Sequence, residues 1–404
     1  MRAIRRLTHY FLGFVLATGL VACTEQSLPV FQDPQPIPVP SGKPAYGPRL
    51  AQGDGDGAVL SWMERNDDGA FLRYSVLQQG AWGPSATVIQ DEHMFVNWAD
   101  LPAVTPIGDQ SLLAHWLSYT ADAPYAYQVL TALSDDNGMT WSEPASPHTD
   151  GTPTEHGFVA TYPATDGVGL VWLDGRNTPD AGMTLRGATL KSDGSLSDET
   201  QLDDMVCDCC QTDVAVAKTG PVAVYRNRTD DEVRDIYVTR FVDGSWQPGT
   251  PISDDGWVIA GCPVNGPTIA AVDDLVVVTW FTAANNEPKV KTALSTNSGK
   301  SFSEPIEIAS NGVSGHVGIA LIDKNTYVIS WMESGKDGNY AINLRARTVD
   351  GQLGPVRTVG RTSVARNVPQ MLRVGDKLML AWTDEINDLN KVVSVEVPII
   401  GFYD

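Results

Sequence analysis

Basic side chains are scarce in this chain of 404 residues: 28 Lys and Arg stand against 49 Asp and Glu, for a formal charge of −21. That shortage excludes nucleic acid as a partner, because phosphates are held by cations that displace counterions. It also argues against docking of the folded body on anionic lipid. Charge of either sign is thin, at 19% of residues, and cysteine is limited to five. The chain has no phosphate loop and no dinucleotide fingerprint, which removes the usual nucleotide-dependent chemistries. What is plentiful is Gly (37), Pro (26) and Trp (11), within 42% hydrophobic residues. A large core is therefore available, and the composition points to many short strands joined by tight turns rather than to helices.

The first residues read as a targeting segment. Arg2, Arg5 and Arg6 precede an apolar run from Tyr10 to Leu20, and Leu20-Val21-Ala22 leads directly into Cys23. This resembles a bacterial lipoprotein signal, too short for a comfortable membrane span, in which the cysteine is acylated and becomes the new N-terminus. The resemblance implies a signal peptide over residues 1–22, lipid attachment at Cys23, and an anchored rather than spanning protein. Thr24 stands where an Asp would signal inner-membrane retention, so the expected address is the outer membrane, facing the periplasm or the cell surface. Removal of residues 1–22 takes three of the basic residues and no acid, moving the formal charge to −24. Residues 23–46 carry a dense series of prolines, Pro29, Pro34, Pro36, Pro38, Pro40 and Pro44, which favours an extended tether.

The remainder, 47–404, is repetitive. A β-rich segment ending in an aromatic residue recurs seven times, at Trp62, Trp116, Trp172, Tyr225, Trp280, Trp331 and Trp382, spaced 51 to 56 residues apart. A Gly-containing turn follows each aromatic by 18 to 22 positions, and another short strand starts about fourteen residues before it. Each unit thus reads as strand A, tight turn, strand B, long loop, strand C, Gly turn, strand D. A four-stranded unit of this size cannot cover both faces alone, so the units are expected to pack radially as an all-β propeller. The count predicts seven blades, with six as the alternative. The last unit ends at its Gly turn, and the chain around Gln35 to Val39 is expected to supply its strand D and close the ring.

Two of the Gly turns carry a motif. Ser134-Asp135-Asp136-Asn137-Gly138-Met139-Thr140-Trp141 matches S-x-D-x-G-x-T-W, with Ser134, Asp136, Gly138, Thr140 and Trp141 at its defined positions. Ser295, Asn297, Gly299, Ser301 and Phe302 form a softer copy. This is the Asp-box, and the repeat region resembles the sialidase (neuraminidase) superfamily. The motif is structural: Asp accepts turn amides, Gly takes positive φ, and the aromatic packs beneath. The resemblance implies a sialidase-like propeller, with the Asp-box turns on the face opposite any active site.

Chemistry is then expected where the B–C loops and the approaches to strand A share the mouth of the central channel. A sialidase, by the resemblance, holds the sialic acid carboxylate with three arginines and uses a Tyr nucleophile, a Glu and an Asp. Arg49, Arg176, Arg226, Arg228 and Arg366 are the candidate clamp, with Asp174, Glu64 or Glu333 as acids. The family's F/Y-R-I-P signature is absent, Gly47-Pro48-Arg49-Leu50 standing in its place, and no motif marks the Tyr. The cysteines are more distinctive. Cys207, Cys209 and Cys210 precede strand A of one unit and Cys262 precedes strand A of the next, so the two groups should meet near the axis. Outside the cytoplasm they are candidates for disulfides. With His156 and His316 at matching positions they are also candidate ligands for copper or zinc. The sequence therefore suggests a lipid-anchored envelope protein of binding or accessory type, with a metal, carbohydrate or envelope protein as ligand. The alternatives are an exo-α-sialidase and a scaffold with all cysteines oxidised.

Overall fold

The computed structural model describes residues 28–42, 44–197 and 199–400. The expected signal segment, residues 1–22, and the expected lipid-attachment residue Cys23 lie outside the described residues. Seven antiparallel sheets follow one another along the chain, so the seven-blade count holds and the six-blade alternative falls. Their innermost strands A are Ala45–Gln52, Ala103–Gly108, His156–Ala164, Asp213–Ala217, Thr268–Val272, Val313–Leu321 and Gln370–Val374. Strand A of blade 7 packs against strand A of blade 1, which closes the circle. Among the described residues the single helical element is a 3₁₀ turn, Ala284–Asn286.

The ring is joined by the N-terminal segment, as expected. Gln35–Ile37 pairs antiparallel with Ser394–Glu396, and Val30–Phe31 pairs with Ile399–Ile400. This supplies the outer strand that blade 7 lacks. A three-way junction secures it: Trp82 Nε1 of blade 1 donates to Ser394 Oγ at 2.7 Å, and Ser394 Oγ donates to the carbonyl of Ile37 at 2.9 Å. An ion pair between Asp33 and Arg357 ties the same segment to blade 6.

The repeated aromatics sit in strand B of every blade, all at most 3% exposed. Each is worth on the order of 3 kcal/mol in removed apolar surface. An indole or phenol so buried needs a hydrogen-bond partner. The partner is a carboxylate in six blades: Trp62 with Glu64, Trp116 with Asp91, Trp172 with Asp174, Tyr225 with Asp203, Trp280 with Asp255 and Trp331 with Glu333. Part of the chain's acidity is thus structural. Side chains from adjacent blades interdigitate into seams, such as Ile37, Trp62, Trp82, Met379 and Val392 between blades 7 and 1.

Both Asp-boxes make the same two bonds to turn amides, while the side-chain bond reverses, Thr140 Oγ1 donating to Asp136 Oδ2 but Asn297 Nδ2 donating to Ser301 Oγ. Asp136 Oδ1 accepts from Thr140 N at 2.9 Å, and Ser134 Oγ accepts from Gly138 N at 2.8 Å. Asn297 Oδ1 accepts from Ser301 N at 3.0 Å, and Ser295 Oγ from Gly299 N at 2.9 Å. Trp141 meets Tyr74 edge-on at 6.1 Å, and Phe302 packs on the seam of blades 4 and 5. Blade 2 departs from the four-strand expectation: outside strand C (Tyr127–Ser134) it keeps two isolated bridges, Thr131 with Ala145 and Tyr127 with Glu155. Pro147, two residues beyond Ala145 and so on the edge that faces strand C, has no N–H to extend the Thr131 bridge.

Candidate functional site

The approaches to strand A surround a polar hollow of about 200 Å³ at the axis, lined by Arg49, Gln211, Asp213, His316 and Gln370 among others. Asp213 Oδ2 accepts from Thr268 Oγ1 at 2.9 Å and Ile269 N at 3.0 Å, locking blade 4 to blade 5. A larger hollow of about 900 Å³ lies beside the B–C loop of blade 2, lined by His93 and residues 119–124.

The cysteines converge beside the axis. Strand D of blade 3 (Thr200–Val206) must cross to the axis before strand A of blade 4, and Cys207-Asp208-Cys209-Cys210 makes the turn. Sγ atoms of Cys207, Cys209 and Cys210 all lie within 4.8 Å of one another, and the first and last are 3.1 Å apart. Cys262, from the crossing between blades 4 and 5, brings its thiol toward Cys209, whose influence holds it below the ordinary thiol range. All four are free thiols. Hydrogen bonds from Cys209 and Cys210 hold Cys207 far below the ordinary thiol range, and the Arg226 charge adds to this. Arg234 Nη1 donates to the same sulfur at 3.2 Å. Cys207 is thus held down while Cys209, through its hydrogen bonds to the neighbouring sulfurs, and Cys210, through burial, are pushed up.

The donor set fits a thiophilic metal ion. A tetrahedral zinc with Zn–S bonds of ~2.3 Å separates its sulfurs by roughly 3.8 Å, and a disulfide would draw them to about 2.05 Å. The observed 3.1 Å lies between, within a side-chain adjustment of either. The structure does not bring the predicted histidines to this group. His316 lines the axial hollow, edge-on to Trp98 at 5.8 Å. His156 lies at the junction of blades 2 and 3, stacked on His148.

The candidate arginines are likewise dispersed. Arg226 is 2% exposed and donates to the carbonyls of Asn265, Arg234 and Phe281 while lying over Trp257 at 4.8 Å. Its fork is spent on backbone, and it pins blade 4 to blade 5. Arg228 pairs with Glu232 at 2.6 Å and Asp208 at 3.4 Å. Arg176 grips Asp174 with two bonds of 2.7 Å. Arg49 borders the axial hollow, and Arg366 is exposed ahead of strand A of blade 7. No three of them form one clamp through the contacts they make among the described residues.

A pairing that the sequence did not disclose joins Tyr127 of blade 2 to Glu155, whose carboxylate accepts from the buried phenol. Burial pushes Glu155 up to about 7, assisted by the charges of Asp208 and Cys207. Asp100 is also raised to about 7 by burial, against the pull of the Phe158 N–H at 2.8 Å and of Arg49. Tyr127 has no local motif, because its partner arrives from the next blade.

No family model and no curated protein matches this chain. Solved structures do resemble it. An ulvan lyase, described as a new family of polysaccharide lyase, superposes with a TM-score of 0.57 at 10% identity, over 90% of this chain and 95% of its own. A protein of unknown function from Dyadobacter fermentans gives 0.54 at 12% identity, over 91% and 99%. The endosialidase of phage phi92 gives 0.52 at 10% identity, over 92% and 70%. At such identities these likenesses show the fold alone, a β-propeller.

Proposed function

We propose that the chain is a lipid-anchored envelope protein whose propeller presents a thiol site for a thiophilic metal ion, copper(I) or zinc. The observation that carries this reading is the convergence of Cys207, Cys209 and Cys210 within 4.8 Å, with Cys262 against Cys209. Soft thiolates select such ions, and the deprotonated form they bind is already favoured at Cys207 by Arg234 and the neighbouring thiols. The lipid-signal resemblance around Cys23 supports delivery to the outer membrane, and the proline-rich segment supports a tether that holds the ring clear of the bilayer. The committed partners of Arg226, Arg228 and Arg176 favour binding over sialoside hydrolysis.

The test is metal analysis and thiol counting on the mature protein isolated from periplasm without chelator. One thiol-bound copper or zinc per chain is expected, and it should disappear in a Cys207→Ser/Cys210→Ser variant. Recovery of the four cysteines as disulfides, with no thiol-bound metal, would overturn the proposal.

A further inference from the structure

A second group of metal-ligating side chains lies apart from the thiols, where the crossing from blade 2 to blade 3 meets the mouth end of strand B of blade 3 (Gly167–Asp174). His148, Asp150 and His156 each offer a ligand atom there, all within 4.8 Å of one another. The orientation of His156 is set by its own backbone surroundings. Its Nδ1 lies 3.0 Å from the carbonyl of Thr154 and 3.3 Å from that of Tyr127. Carbonyls only accept, so Nδ1 carries the hydrogen. The other nitrogen, Nε2, belongs to a side chain with 0% exposure and has no hydrogen-bond partner. It lies 3.2 Å from Asp150 Oδ1 and 3.6 Å from Asp174 Oδ1.

These separations have a simple meaning. A tetrahedral ion with bonds of ~2.0–2.2 Å to nitrogen and oxygen spaces its ligand atoms roughly 3.3–3.6 Å apart. His148 stacks on His156 at 3.8 Å with an interplanar angle of 2°, so one ion cannot lie in the plane of both rings. Its role is to hold Asp150 through Nδ1 at 2.9 Å. Asp174 Oδ1 also accepts from Arg176 Nε at 2.7 Å and from Arg176 N at 3.2 Å, and the longer of these is the bond an ion would displace.

Charge points the same way. Asp150, Asp174 and Glu199 face Arg176 and Arg186, three negative groups against two positive, and none of these side chains is more than 18% exposed. With His148 and His156 both neutral, one negative charge is left to be balanced in a largely buried site. We infer that His156 Nε2, Asp150 and Asp174 form a site for a divalent cation of the zinc class, separate from the thiol site and independent of it.

The experiment uses the mature chain with Cys207, Cys209, Cys210 and Cys262 all changed to Ser, titrated with cobalt(II) and then zinc. One cobalt per chain is expected, with visible d–d absorption, no thiolate charge-transfer band, and displacement by zinc. His156→Gln and Asp150→Asn should each weaken binding at least a hundredfold, and His148→Gln by about 10 to 100-fold. If the serine variant does not fold, the wild-type protein should lose one ion per chain on His156→Gln while keeping its thiol-bound ion. Absence of binding in the folded serine variant, or an unchanged metal content in wild-type His156→Gln, overturns the inference. Nitrogen-15 spectra showing Nε2 of His156 protonated at neutral pH would do the same, since an imidazolium would then supply the missing positive charge.

Discussion

Burial governs the ionisation of Asp100, a side chain whose Oδ2 occupies the space that a Cβ on Gly157 would fill. In the unfolded chain its carboxyl titrates near 3.8, and in the fold near 7. Between those values the folded protein keeps a proton that the unfolded chain has lost, so this group's contribution falls as pH rises from 4 to 7. Asp100→Asn keeps an acceptor for the Phe158 N–H and removes the titration. Relative to wild type, the variant should gain stability with rising pH, by at most about 4 kcal/mol near pH 8. Urea unfolding at pH 5 and pH 8 measures this, and a difference that does not change with pH would refute it. At this scale the sequence was only partly legible. The thiol site could be read because three of its residues are consecutive or nearly so, and the fourth lies at the matching place in the next repeat. His148 and Asp150 could not, because they lie in a proline-rich crossing outside the repeat register. Arg226 looked like a ligand because a charge in a loop has no sequence mark to show that it will cap buried carbonyls.

Turns and strands were more transparent, because their demands are local. The Asp-box is such an element, and each copy leans on the blade before it. A Cβ at Gly138, φ +80°, would lie 1.9 Å from Tyr74 Oη of blade 1. At Gly299, φ +76°, the nearest atom is a Val222 methyl of blade 4 at 3.1 Å. Both positions need the left-handed conformation, but only the first also collides with a fixed phenol. Gly138→Ala is expected to cost about 3 kcal/mol and Gly299→Ala about 1 to 2 kcal/mol in urea unfolding. Equal costs would show that the contact with Tyr74 gives way freely. The outer position of blade 2 was misjudged from the repeat because periodicity marks where a strand should lie. It does not reveal that Pro147 withholds the next donor.

The whole ring was legible because seven aromatic residues recur at a nearly constant spacing, and each proved to be the buried centre of a strand B. Its closure was legible too, from the shortage of a strand in the last unit. Deleting residues up to 40 should expose the edge formed by Asn390–Ile400, including Val395, Val397 and Ile399. Size-exclusion chromatography should then show association, and protease should cut within 390–400. A monomeric, protease-resistant truncate would mean that blade 7 is stable without its fourth strand. The same seam sets an order of events during synthesis. Residues 30–37 leave the ribosome well before their pairing partners at 394–400. The ring therefore cannot shut until residues 394–400 have emerged, and until then the partly made propeller carries an open edge at each end of its row of blades.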